Sequence, residues 1–202
     1  MVRGWIRSFV LLAAALLASG CAAQAPEART SRLTGRDIIE TGDQVRASLA
    51  DSALLAGRDR TSPPIKLGLA EAVNKSSDRL AAADRWALTA LVVYDFEVQQ
   101  LLESRNVRLY LPEDTEVVLE SMGLGPGSRV DPGWIDRTAP THVLRAEIRS
   151  LARQGSAVAG AVSDHRQDVY LIDYRIVEFD SSRVVWSRTV EWARRATGTV
   201  AD

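Results

Sequence analysis

Three late stretches of this chain alternate apolar and polar side chains at a period of two, and they constrain the fold more than any other feature. "HVLRAEIRS" sets His142, Leu144, Ala146 and Ile148 against Arg145, Glu147 and Arg149. "DVYLIDYRIVEF" sets Tyr170, Ile172, Tyr174 and Ile176 against Asp173 and Arg175, and "RVVWSRTVEWARR" sets Val184, Trp186, Val190 and Trp192 against Ser187, Thr189 and Glu191. Such alternation is the signature of strands with one buried face. The polar "FDSSR" between the second and third predicts a tight hairpin. A Gly/Ala/Ser-rich loop, "ARQGSAVAGAVSD", joins the first to the second. Arg188 falls on the apolar side of the last strand and must snorkel or pair there.

The preceding segments read mostly as helices. Asp37 is expected to cap a helix running to about Leu55, with Ile38, Ile39, Val45, Leu49 and Leu54 as an apolar stripe interrupted by Gly42. Pro63 and Pro64 end it, and "IKLGLAEAV" restarts extended. Ile65, Leu67, Leu69 and Val73 are expected to face the core, with Gly68 leaving little bulk on the other face. The longest periodic segment predicts one helix from about Ala81 to Ser104, its apolar side formed by Ala87, Leu88, Leu91, Val92, Tyr94, Val98, Leu101 and Leu102. "NVRLYLPED" reads as a short strand, and "DTEVVLESMG" as a short helix capped by Asp114 and stopped at Gly123. "DPGWID" is expected to open another helix, with Asp131 as N-cap and Pro132 at its first position. The fold class that follows is α/β: a mixed sheet with helices on one face and a C-terminal three-strand antiparallel meander.

The N-terminus reads as a secretory signal. Arg3 and Arg7 precede an uninterrupted apolar run, Phe9 to Ala18, and Ala18, Ser19 and Gly20 supply small residues before Cys21. That run is far shorter than the ~20 residues a membrane-spanning helix needs. "ASGC" resembles the bacterial lipobox, although Ala18 stands where leucine is usual. The resemblance implies that Cys21 receives a diacylglycerol, that the peptide is cut before it, and that the new N-terminus carries a further acyl chain such as palmitate. Two or three acyl chains, at about 0.8 kcal/mol per buried methylene, hold a protein on a membrane where one does not. Ala22, rather than aspartate, after the cysteine implies the periplasmic face of an outer membrane. The expected organisation is a signal peptide over residues 1–20, the lipidated Cys21 with a short tether over 21–36, and a single α/β periplasmic domain over 37–202. Stretched out, residues 22–36 reach roughly 50 Å.

Composition excludes little but excludes it firmly. Loss of residues 1–20 takes two arginines, leaving 23 basic against 26 acidic side chains and a net charge near −3. That balance argues against a general nucleic-acid role. His142 and His165 lie at no ligand spacing from one another, and Cys21 is committed to the anchor, so no metal site is expected. His142 reads as a satisfied or rim histidine. "GLGPGS" follows a helix rather than a strand and lacks the lysine–serine pair of a phosphate loop. No Gly-x-Ser-x-Gly elbow occurs, and Asp173 and Glu178 fall on opposite faces of one strand, so they form no carboxylate pair within it. Asp95 lies within the helical apolar arc and reads as a rim acid or helix-end partner. Trp186 and Trp192 read as core, and Trp134 as exposed. No catalytic residue, cofactor or enzymatic activity is expected.

Several strings resemble a known family over about residues 33–195. "LTGRDIIETGDQVRASLADSALL", "IKLGLAEAVNKSSDRL", "THVLRAEIRS" and "DVYLIDYRIVEFDSSRVVWSRTVEWARR" are together similar to the LpoB-type lipoproteins, activators of penicillin-binding proteins. The chain departs from their pattern at Ala139–His142, at Ala146, and in its shorter tether. The resemblance implies an accessory protein that docks on a bifunctional peptidoglycan synthase, a penicillin-binding protein, and favours its active conformation, which requires differential affinity rather than chemistry. It carries over no contact residue. The candidate partner surface is therefore read from the polar face of the meander, Arg145, Glu147, Arg149, Asp173 and Arg175, with the loop before His165. The alternative is a structural or assembly lipoprotein of the outer envelope, of a secretion- or Tol-like kind, with no effect on synthase activity.

Overall fold

The computed structural model describes residues 32–124, 133, 135–154 and 165–197. Cys21, the tether before residue 32, Trp134 and the loop before His165 lie outside these residues. In chain order the elements are α1 (Gly35–Ala50), β1 (Ile65–Leu69), β2 (Val73–Asn74), α2 (Ala82–Val93), α3 (Phe96–Ser104), β3 (Val107–Tyr110), α4 (Glu113–Ser121), β4 (Ile135–Asp136), β5 (His142–Gln154), β6 (His165–Glu178) and β7 (Val184–Thr197). One seven-stranded sheet runs β4-β3-β1-β5-β6-β7, with β2 pairing β5 beyond the end of β1. β4, β3, β1 and β5 pair in parallel, and β5, β6 and β7 form the antiparallel meander. The α/β class with a mixed sheet and antiparallel half is the one the periodicities dictate.

One core lies between the sheet and its helices. Leu144, Ile148, Tyr170, Ile172, Tyr174 and Ile176 from the meander bury against Val45, Leu49, Leu88 and Val92 of α1 and α2. α1 and α2 meet at Gly42, where an added Cβ would stand 3.4 Å from the Leu91 Cβ. The glycine that interrupts the α1 stripe is thus the contact point of two helices. The Tyr174 hydroxyl donates to the Leu88 carbonyl at 3.1 Å, tying the sheet to α2. The Trp192 indole N–H donates to the Thr41 hydroxyl at 2.7 Å, tying β7 to α1. Trp186 is buried and Trp192 half-buried against the same core, as their spacing predicts.

Several local expectations are corrected. Thr34, not Asp37, caps α1; Asp37 occupies the third helical position and closes a reciprocal capping box, accepting from the Thr34 N–H at 2.7 Å. Leu33 packs on the core, so the fold takes in residues assigned to the tether. The segment read as one helix is two, broken at Tyr94 and Asp95. Asp95 is the N-cap of α3, accepting from the amides of Glu97 at 3.0 Å and Val98 at 3.3 Å. Pro112, not Asp114, occupies the N-cap of α4, and that helix ends where Gly123 takes a φ of +70°. Residues 131, 132 and 134 lie outside the described residues, but Ile135 and Asp136 pair with β3 as a strand rather than extending a helix.

Two further corrections concern faces. Val73 is 53% exposed because β1 stops at Leu69 and β2 resumes with Val73 opposite Glu147, on the side away from the core. Val184 is 48% exposed because the β6–β7 register shifts at Ile176/Val177, pairing Val184 with Val177 and Trp186 with Ile176. Val185, the extra residue, packs toward the core instead. The little bulk of Gly68 on the other face leaves room for its neighbours: an added Cβ would meet Tyr110 at 3.4 Å and Pro140 at 3.5 Å.

Candidate docking face

The register of the meander assembles the five candidate residues on the sheet face away from the helices. Because directly opposed residues share a face, the three strands lay their outward side chains in rows across the sheet. Val143, Val177 and Val184 form an apolar row. Arg145, Arg175 and Ser187 form the next, followed by Glu147, Asp173 and Thr189, then by Arg149, Leu171 and Glu191. Charge is therefore banded across the strands. Neither arginine row nor acidic row could be inferred without knowing which residue faces which.

The acidic row is neutralised from within the protein. Lys75, in the turn after β2, pairs with Glu147 at 2.8 Å and holds its carboxyl below the usual range, helped by the Arg149 and Arg175 charges. The Thr189 hydroxyl donates to Asp173 at 2.6 Å, and Arg149 pairs with the other oxygen of that carboxylate. These contacts, the Thr189 hydrogen bond first, lower the Asp173 pKa. Asp173 in turn raises that of Arg149.

The arginine row is different. Arg145 and Arg175 stand directly opposite each other, and like charges so placed oppose sheet pairing. Both are exposed, and neither makes an ion pair among the described residues. Beside them the face dips into a shallow concavity of about 560 Å³, floored by Val143, Val177 and Val184 and bordered by Phe179, Glu147 and Asp173. Phe179 is 57% exposed. The site thus offers two cations with spare hydrogen-bonding capacity beside an apolar floor. That chemistry suits an acidic and apolar segment of another molecule, since guanidinium forks match carboxylates.

All five residues named from sequence lie on this face. Sequence reasoning missed Lys75, Thr189 and the apolar row. Val143 and Val177 carried a usable signal, being apolar residues at positions where the alternation calls for polar ones. Val184 carried none, because a bulge placed it there. His142 sits half-buried at the start of β5, with its Nδ1 2.9 Å from the Thr141 hydroxyl, and burial lowers its pKa despite the nearby Glu178 charge. It belongs to the rim of the core rather than to this face. No helix among the described residues is long and apolar enough to cross a membrane.

No family model matches the sequence, and no curated protein matches it. Among solved structures, the chain is similar to the C-terminal domain of LpoB from Salmonella enterica, at 10% identity and a TM-score of 0.39, over 77% of this chain and 98% of that one. It is similar to the same domain from Escherichia coli, at 12% identity and a TM-score of 0.38, over the same shares. A third likeness is to lipoprotein GNA1162 from Neisseria meningitidis, at 11% identity and a TM-score of 0.33, over 65% of this chain and 84% of that one. Likenesses of this size establish neither family nor function, and the mixed α/β architecture stands on the strands and helices of this chain itself.

Proposed function

We propose that this protein is a lipid-anchored envelope protein of the outer membrane's periplasmic face, whose α/β domain binds a peptidoglycan synthase and raises its activity. The observation that carries the reading is the opposed pair Arg145 and Arg175, neither in an ion pair among the described residues, beside an exposed apolar floor. A solvated sheet face has no use for two facing cations, which weaken strand pairing, whereas a docking face has. The lipobox at Cys21 and the string resemblance to synthase activators support the compartment and the class of partner. In this reading the protein performs no chemistry and needs no cofactor or metal. It acts by binding the active conformation of the synthase more tightly than the inactive one.

The test is a pull-down of a detergent-solubilised bifunctional penicillin-binding protein by the full chain, with glycan polymerisation measured with and without it. Binding together with a faster rate is expected, and the Arg145→Ala/Arg175→Ala variant should lose both while remaining folded. Absence of binding and of any rate change would sink the reading. Co-purification with an outer-membrane channel, without a rate change, would transfer the protein to the assembly class.

A further inference from the structure

β7 is the terminal strand of the sheet, and among the described residues no strand pairs with its outer side. Among the described residues, no backbone hydrogen bond outside the β6–β7 ladder reaches residues 184–194. The strand is fourteen residues long and contains no proline, and its charges, Arg188, Glu191, Arg194 and Arg195, are of both signs. At ~3.3 Å per residue its edge extends roughly 45 Å. Proteins usually shorten, cover or charge such an edge, because its free N–H and C=O groups template pairing with another strand. α1 lies against the core face of β7 through Thr41 and Asp37 but does not close over the edge. A crevice between Gln44, Ser48 and Asp51 of the helical side and Trp186 and Arg188 of the strand remains open.

We propose that this edge pairs with the β7 edge of a second copy, antiparallel, about a two-fold axis passing through Thr189, to make one continuous sheet. The axis must pass through a residue, because opposed residues of an antiparallel ladder share a face. Among the central positions 187 to 191, charge then selects which one. An axis at Arg188 sets that cation against itself, and one at Glu191 does the same for an anion. An axis at Ser187 brings the Arg145–Arg175 row against its own copy. An axis at Val190 sets Ser187 opposite Ala193 of the second copy, so that Arg175 meets no anion there.

An axis at Thr189 instead sets Ser187 opposite Glu191 of the second copy. Arg175 then reaches across the small serine toward that carboxylate, twice in the dimer. Neither Arg175 nor Glu191 makes an ion pair among the described residues; pairing them across the dimer leaves Arg145 as the cation offered to the docking partner. The acids that approach the axis are already neutralised by Lys75 and Arg149. On the core face, Trp186 comes opposite Trp192 of the second copy, so two indole pairs flank the axis. The isologous contact closes on itself and builds no fibre.

The experiment uses the full lipid-modified chain in detergent, where the diacylglycerol on Cys21 leaves an introduced thiol as the only free one. Thr189→Cys should cross-link on mild oxidation, because residues directly opposed across an antiparallel ladder have Cα atoms about 4.5–5.5 Å apart, within disulfide reach. Ser187→Cys lies about 13 Å from its own copy at ~3.3 Å per residue. It and Ser182→Cys in the hairpin should cross-link at least roughly tenfold less. Sedimentation velocity of the chain without added thiols should show a dimer. Arg175→Glu or Glu191→Arg alone should weaken it roughly tenfold, an energy of about 1.4 kcal/mol, and the two together should restore it. A monomer throughout, equal cross-linking from Ser182→Cys, or a monomer that takes up an added extended peptide along β7 would each overturn the proposal.

Discussion

Two tyrosines show how the same side chain stabilises or strains this core according to one partner. The Tyr174 hydroxyl is buried and donates to Leu88, whereas the Tyr94 hydroxyl is buried with no hydrogen-bond partner among the described residues. Burial raises the pKa of both. Tyr174→Phe should therefore cost about 1 kcal/mol, while Tyr94→Phe should be neutral or stabilising by about 1 kcal/mol, read from urea midpoints. His142 gives the residue-scale pH dependence. Its folded pKa is depressed below 6.5 by burial, so the fold favours the neutral ring. Its contribution is complete above pH 6.5 and is lost as pH falls through the folded value. His142→Gln should flatten the decline in urea midpoint between pH 7 and 5, leaving the separate loss at lower pH that protonation of Asp173 and Glu147 produces.

Elements were legible where a period of two or 3.6 ran unbroken, and illegible where one residue interrupted it. The core faces of β5 and β6 follow from alternation alone. The α2–α3 break does not, because Asp95 preserves the helical arc while its carboxylate caps a new helix. A helix N-cap of this kind contributes about 0.5–2 kcal/mol. Asp95→Ala should thus lower stability by about 1 kcal/mol and leave the far-UV helical signal nearly unchanged, as α3 is still held by Leu102 in the core. The bulge at Val184/Val185 was equally hidden. It moves one valine to the candidate docking face and packs its neighbour toward the core, and no local composition announces it. The gap between Leu69 and Val73 did the same for Val73.

At the scale of the whole molecule, the sheet separates the packed core from the candidate docking face. Helices, buried tyrosines and tryptophans occupy one face, and banded charge occupies the other. The five charged residues of the candidate face were readable as polar positions, but their grouping was not, because grouping is a property of register. Replacing Arg145 with alanine should leave thermal stability unchanged or slightly higher, since relief of opposed like charges offsets the lost side-chain packing. Moderate salt should stabilise the unaltered protein more than this variant, and a melting series from low to moderate ionic strength checks it.

The seam between the start of α1 and the far end of β7 has a mechanical meaning. Arg194 pairs with Asp37, which is 1% exposed, and Asp37 in turn holds the amide of Thr34. Tension on the chain from its N-terminal side enters at Leu33 and Thr34 and meets this clasp before it meets the backbone ladder of α1. The first bonds to yield are thus side-chain contacts that can re-form, and the helix behind them unwinds only after they open. Under a sustained pull, survival is set by how slowly that clasp ruptures rather than by equilibrium stability.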